Sequence, residues 1–536
     1  MKVNKGRLAI IGLVLIITAC SSAKLKTAHD LAVDNPIKST IDLTSIVDDK
    51  APVTIDPGRF TIDEVIYRLP RVIQGSYDVS NFGRYVENFV ALDYDGKVLP
   101  SKKIDNNSWS ISNAEHLDKV TYFVNDTYDI ERNGDVSPIF SPEGTNISPD
   151  NYVLNLHGFI GYFDSLKNNS YTLNITAPAD FERTSALQST GKTLNSDGTS
   201  ITSSYFAPRY FDITDNPMMY GHLDVERFMV DGINIELSVY SPNKVHSAKS
   251  IKETVYEMMK AQKAYLGDIH TTNHYDIILF LSDGEKDSPR GFGALEHQKS
   301  TVAVLREWSS NDYLAKSVID VVGHEFFHIV TPLGIHSEDI QYFDYNNPTF
   351  SKHLWMYEGV TEYFAQHFQV YEGLESEDDF YITMSHKINA SKRYDDTMSF
   401  TEMSEHITDK PYADNYNNVY EKGALIGMCL DILIREGSHG TRSLVSLMKE
   451  LSEKYGENRP FKDNALFGEI TKMTYPSVGT FLRTYVEGHT PIPYKEILQK
   501  VGLTLNTYNI IKVDENATPT QITLRKAWLN SNQNKL

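Results

Sequence analysis

The chain has 536 residues, 40% hydrophobic and 23% charged, with 51 Lys+Arg against 71 Asp+Glu. The length suggests two to four domains at about 150 residues each, and the composition excludes wholesale disorder, collagen-like chains and polytopic membrane proteins. A net charge of −20 argues against nucleic acid as a partner, and two cysteines, Cys20 and Cys429, exclude a disulfide framework.

In chain order, Lys2, Lys5 and Arg7 precede an apolar run from Leu8 to Ala19. That run has the shape of a secretory signal and is shorter than the ~20 residues of a spanning helix. It closes with Ile17-Thr18-Ala19-Cys20, which resembles a bacterial lipobox. The resemblance implies residues 1–19 as signal peptide, lipidation of Cys20 and a polar tether over 20–44. The chain is therefore expected to be an exported lipoprotein of the cell envelope, held at the outer membrane where the host has two membranes. Cys429 sits in an apolar helical stripe with Leu425, Met428, Ile432 and Leu433, which predicts a buried small hydrophobe.

From 45 to 241 the pattern is short alternating segments such as Glu64 to Leu69, Val120 to Val124 and Ile233 to Leu237, with Asp95-Gly96 and Asn133-Gly134 as hairpin signals. This predicts an all-β, sandwich-like domain. The texture changes near Ser241-Pro242. Ile251, Val255, Met258, Met259 and Leu266 keep helical spacing before Gly267. A strand is expected over Tyr275 to Leu281, then mostly helix, giving an α+β, mainly helical domain over 242–490. Residues 491–536 are expected to form a small appendage or partly ordered tail.

The chemistry concentrates at His324-Glu325-Phe326-Phe327-His328. Leu314, Val318 and Val322 keep helical period upstream and Pro332 closes the pattern, so the motif is expected on a helix. Residues four apart share a face, so both imidazoles can meet one ion while Glu325 reaches a water beside it. A third ligand decides the case. The metzincin position, six residues after His328, is Gly334 and fails; His336 is a free histidine that fits no motif. Glu358, thirty residues on, lies in an apolar-rich helical pattern with Glu362 one turn later. Two His and one Glu leave a position open for water, as in catalytic zinc sites.

With Trp355-x-x-Glu358-Gly359-x-Thr361 after the HExxH, the chain resembles the gluzincins, and among them the M61 family of glycyl-aminopeptidase-like peptidases. Three further segments resemble that family: Gly293-Ala294-Leu295-Glu296-His297 with Ser300-Thr301 as an edge strand, Tyr420-Glu421-Lys422-Gly423 on a helix, and Asp215-Asn216-Pro217. The resemblance implies a thermolysin-like catalytic domain with one zinc per chain, held by His324, His328 and Glu358. It implies Glu325 as general base and Tyr420 as hydrogen-bond donor to the tetrahedral oxyanion. It also places Glu296 at the substrate's free α-ammonium, on the strand with Gly293 and Ala294. The sequence departs from the family where Ile329 to Pro332 replace a common Trp-Asn, and the 46 residues after Thr490 are too few for the PDZ domain of many members.

Glu362 and Asp320 are candidates to orient a ligand histidine, or else solvated helix charges. The leading expectation is an aminopeptidase acting on peptides or proteins, with small N-terminal residues implied by the resemblance. The alternatives are a zinc endopeptidase of surface or periplasmic proteins, and a surface binding lipoprotein with a vestigial zinc site.

Overall fold

The computed structural model describes residues 35–129, 138–269, 272–456 and 458–530. The signal segment and Cys20 lie outside the described residues, and no described helix is long and apolar enough to cross a membrane.

The N-terminal half is built on a seven-stranded sheet with two four-stranded sheets beside it. Its alternating strands bury every second residue, as in Ile37–Asp42, where Ile37, Ser39 and Ile41 are buried. Ile37–Asp42 lies in the middle of the large sheet, parallel to Tyr171–Pro178 and antiparallel to Lys50–Asp56. The expected tether to residue 44 is therefore corrected. Its last stretch is a core strand, hidden from the sequence reading by the polar Lys38 and Thr40 on its other face. Tyr67 and Tyr122 join two sheets through a 2.7 Å hydroxyl contact in the apolar interior.

The other end of this region also departs from the expected all-β domain. Asp224–Val230 and Ile233–Tyr240 do not join the N-terminal sheets. Ile233–Tyr240 runs parallel to His274–Ser282, which runs parallel to Ser300–Arg306, with Gly293–His297 antiparallel at the edge. This five-stranded sheet belongs to the catalytic half, so the change of unit falls before residue 224 rather than at 241. Alternation alone cannot tell which sheet a strand joins.

Helix Ala248–Leu266 starts at a Ser247–Ser250 capping box and stops at Gly267, whose φ of 56° favours glycine. It packs directly against the motif helix Asn311–Phe327 on one face of the sheet. The C-terminal segment is corrected too, because helix Pro519–Leu529 docks into the core. Trp528 is fully buried, its indole donates to Tyr363 Oη at 2.8 Å, and its carbonyl meets His367 Nε2 at 2.9 Å. Arg435 reaches the Ala527 carbonyl at 2.7 Å. Cys429 is buried in helix Asn418–Gly437, and burial pushes its thiol pKa up.

Candidate metal centre and peptide cleft

Ser310 starts the motif helix by accepting from the Tyr313 amide at 3.2 Å. The helix ends at Phe327 with His328 as its cap, four residues before Pro332. A residue before proline is kept out of the helical region, and the freed Thr331 carbonyl turns back to accept from His328 Nδ1 at 3.2 Å and Thr361 Oγ1 at 3.2 Å. That contact fixes the ring with Nε2 towards the site. His324 is fixed from its other side, with Nδ1 2.8 Å from Glu362 Oε2.

Glu358 sits on the π-helical turn Trp355–Val360, which runs into helix Thr361–Tyr371. Its Oε2 lies 3.5 Å from His324 Nε2 and 3.7 Å from His328 Nε2. The turn can take this place because Gly359 meets Gly423 at the backbone. A Cβ on Gly359 would come within 2.6 Å of Gly423 Cα. This close approach seats Glu358 beside helix Asn418–Gly437 and explains the glycine of the Tyr-x-Lys-Gly segment. Lys422 holds the same region by pairing with Asp396 at 3.2 Å.

The electrostatics favour metal binding. Burial pulls the His328 imidazolium down to about 4, so its ring is neutral and ready to coordinate near pH 7. Burial alone would also lower His324, but Glu358 and Glu362 outweigh it and raise the ring well above the usual imidazole range, a pull on positive charge at this point. Burial would raise Glu358, yet His328, His324 and a hydrogen bond from Tyr77 keep it ionised. Two imidazole nitrogens and a carboxylate oxygen converging this closely fit zinc.

Around this centre, Glu325 is buried and its pKa rises to about 8, first from desolvation and then from Glu358 and Glu362 against the opposing His324. Glu296, on the edge strand, has a carboxyl oxygen within 4.8 Å of Glu325 and His328 atoms. Burial, Glu358 and Glu325 push it well above the usual carboxyl range. Among the described residues no basic side chain pairs with it. Its neighbour His297 instead faces Asp215 at 3.5 Å, and Asp215 also accepts from the Gln298 amide at 3.2 Å. The Asp-Asn-Pro segment thereby pins the edge strand to the N-terminal half. Tyr420 has its ring 5.7 Å from that of His324 and shares a 2.9 Å hydroxyl contact with Tyr416. Burial raises its phenol, which stays a donor.

Gly293 and Ala294 line the cleft, and Gly293 has φ 156° with Phe140 where a Cβ would stand, at 2.7 Å. Asp320 also borders the cleft, but it pairs with Lys316 one turn back on its own helix. Orienting His324 falls to Glu362 and not to Asp320, because Asp320 lies one turn N-terminal on the same helix whereas Glu362 approaches from the facing one. His336 is absent from the centre, its ring nitrogens taken by Pro332 O and Gln341 at 2.7 Å each.

Three participants escaped the sequence reading. Lys387 clamps Glu362 at 2.7 Å from helix Glu377–Ser391. Tyr77 and Gly75 come from a loop of the N-terminal half. Gly75 has φ +87° and stands against Glu296, where a Cβ would meet its carboxylate at 2.8 Å. Tyr77 has φ 51°, packs its ring 5.9 Å from Tyr416 and hydrogen-bonds to Glu358. No motif marks any of the three; only their common destination does.

Fold and site together define a metallopeptidase with a two-part architecture. Residues 38–222 match the family model described as the Peptidase M61 N-terminal domain, and residues 317–426 match that of M61 glycyl aminopeptidase. Together they take in more than half of the chain, which belongs to the M61 peptidase family. A comparison with curated proteins found no match. Among solved structures the chain is similar to an aminopeptidase N family protein from Idiomarina loihiensis, with 21% identity and a TM-score of 0.73 over 87% of this chain and 78% of that one. It is also similar to an M1 zinc metallopeptidase from Deinococcus radiodurans, at 13% identity and a TM-score of 0.51, over 86% and 95% of the two chains. Legionella pneumophila aminopeptidase A shares the fold at 15% identity and a TM-score of 0.54, over 85% of this chain and 49% of that one. At these identities the likeness is one of fold.

Proposed function

We propose that this chain is a zinc aminopeptidase that releases small N-terminal residues from peptides. One observation carries the exopeptidase part: Glu296 is an acidic side chain in no ion pair among the described residues, with the Glu325 carboxylate and the His328 ring, which burial keeps neutral, both within 4.8 Å. A substrate α-ammonium would supply the missing charge and fix the first peptide bond beside the metal centre. An internal peptide segment brings no such charge.

His324, His328 and Glu358 would hold the zinc, which when bound supplies Lewis-acid activation of a water and of the scissile carbonyl. Glu325 takes the proton of the attacking water on its carboxylate and returns it to the leaving amine. Tyr420 donates its hydroxyl to the oxyanion that develops on the carbonyl carbon. Gly75 and Tyr77 wall the cleft beside Glu296, in keeping with a small first residue and with the glycyl aminopeptidase description of the matched family model. The reading includes an exported chain anchored through Cys20, an inference carried by the sequence alone.

The test is hydrolysis of matched Gly- and Ala-initiated peptides, free and N-acetylated, by the zinc-loaded chain. Only the free-amine peptides should be cleaved, with kcat falling about 10²–10⁴-fold in Glu325→Gln at unchanged zinc content. Glu296→Ala should abolish the preference for the free amine. Equal cleavage of both forms would make the protein an endopeptidase. Zinc bound with no cleavage of either would return it to a binding lipoprotein.

A further inference from the structure

A second acidic cluster lies in the N-terminal half, outside the cleft. Asp49 comes from the turn between strands Ile37–Asp42 and Lys50–Asp56, and Asp126 and Asp129 follow strand Leu117–Asn125. Each offers a carboxylate oxygen within 4.8 Å of the other two. Asp129 stands within hydrogen-bonding reach of both Asp49 and Asp126. Asp126 is only 2% exposed. Its Oδ2 accepts from the Ile147 amide at 2.6 Å, while its Oδ1 is buried with no donor. Asp129 Oδ1 is buried without a donor as well.

The local charge makes these orphaned oxygens more telling. Among the described residues no Lys, Arg or His pairs with any of the three aspartates. Lys50, next to Asp49 in the chain, takes Glu87 at 2.9 Å instead. Asp287, from the catalytic half, adds a further negative charge near Asp49. Carboxylates pressed together in a desolvated place cannot all be ionised unless a cation joins them.

We propose that Asp49, Asp126 and Asp129 bind a hard divalent cation, and that the ion is calcium. The donors are all oxygen, without the imidazole or thiolate that zinc would select. One aspartate is exposed and leaves room for waters, which suits the flexible coordination of calcium better than the octahedron magnesium demands. The ion would tie the Asp49 turn to the segment carrying Tyr128. That ring packs on Phe280 of the catalytic sheet at 5.3 Å, and its hydroxyl donates to the Ser141 carbonyl at 3.1 Å. Ser141 Oγ in turn accepts from the Gly291 amide at 2.9 Å, just before the edge strand. The cation would thus brace the junction between the two halves.

The experiment titrates calcium chloride into the zinc-loaded chain in calcium-free buffer, by calorimetry and by thermal melting. The wild type should bind about one calcium at Kd near 10⁻⁴–10⁻³ M or tighter, and its Tm should rise by about 2–4 °C at saturation. Asp126→Asn should lose both responses. Without calcium it should melt no lower than the wild type, because it removes a buried like-charge contact. Asp129→Asn is the second variant and should behave alike. Absence of a calcium response in the wild type would overturn the site and assign the neutralising charge to a proton. Calcium binding retained in both variants would overturn it too, and an equal response to magnesium would overturn the choice of calcium.

Discussion

The cleft and the aspartate cluster both gather carboxylates away from water, and they solve the resulting repulsion differently. In the cleft, most acids have a basic neighbour: Glu358 faces two imidazoles, and Glu362 has His324 and Lys387. Glu296 and Glu325 form no ion pair among the described residues, and on the proposed function a substrate ammonium would complete Glu296. In the aspartate cluster no basic side chain among the described residues pairs with the three acids, and on the proposal above a cation from solution supplies the neutrality. The donors follow the same division, nitrogen and oxygen in one place and oxygen alone in the other. An acid left without a cation is therefore the feature worth pursuing in both regions, and an acid already paired is part of the scaffold.

The strongest way to break that contrast is to remove the scaffold acid. Burial would raise Glu362, but Lys387 and His324 outweigh it and bring its pKa from 4.5 to about 2. A carboxyl depressed in the folded state stabilises the fold above its unfolded value near 4.5, and loses that contribution as pH falls towards 2. Glu362→Gln should weaken zinc retention about 10–100-fold in chelator competition, since His324 loses the acceptor that orients it. It also takes from the buried Lys387 its nearest carboxylate, leaving it Glu421 at 3.8 Å and the Tyr420 carbonyl at 3.1 Å, at a cost of about 1.5–3 kcal/mol in melting experiments at pH 7. The wild type's acid destabilisation between about pH 4.5 and 2 should flatten in the variant.

A finer change sharpens the comparison between the two halves of the chain. Tyr77 occupies a left-handed backbone conformation that costs about 1–3 kcal/mol for an ordinary residue. The surrounding loop enforces it, with Gln74 donating to the Ile340 carbonyl at 2.9 Å and the Arg71 amide to Tyr345 O at 2.9 Å. The payoff is a hydroxyl on Glu358, the carboxylate proposed to hold the metal. Tyr77→Phe keeps the ring and the strain and loses only that bond, so zinc retention should weaken about tenfold with the melting temperature nearly unchanged. Zinc retention equal to wild type would confine Tyr77 to walling the cleft.

Much of this site was legible because its chemistry is local in sequence. Two histidines four apart on one helix, a glutamate in an apolar pattern and a glycine after Tyr-x-Lys each announce a geometry that a helix repeats faithfully. What the sequence hid is long-range. Lys387 and Tyr77 reach the centre through packing of helices and loops distant in the chain, and no period records where such residues will land. The strands at 37–42 and 233–240 were misplaced for the same reason, since alternation gives a strand's two faces but not its neighbours. The C-terminal helix looked detached because its polar face outnumbers the buried Leu524, Trp528 and Leu529.

Asp320 tests how far position near a ligand counts without contact. It lies one turn before His324 and borders the cleft, so sequence spacing favours it as a positioning acid. Its carboxylate is taken by Lys316, with both side chains partly open to solvent. An exposed i,i+4 pair is worth about 0.3–0.5 kcal/mol, and Glu362 already fills the acceptor role at His324 Nδ1. Asp320→Asn should therefore change stability by no more than about 0.5 kcal/mol in denaturant unfolding and leave zinc retention at the wild-type level. A loss of zinc approaching that of Glu362→Gln would show that the field of a nearby carboxylate orients the ligand without touching it.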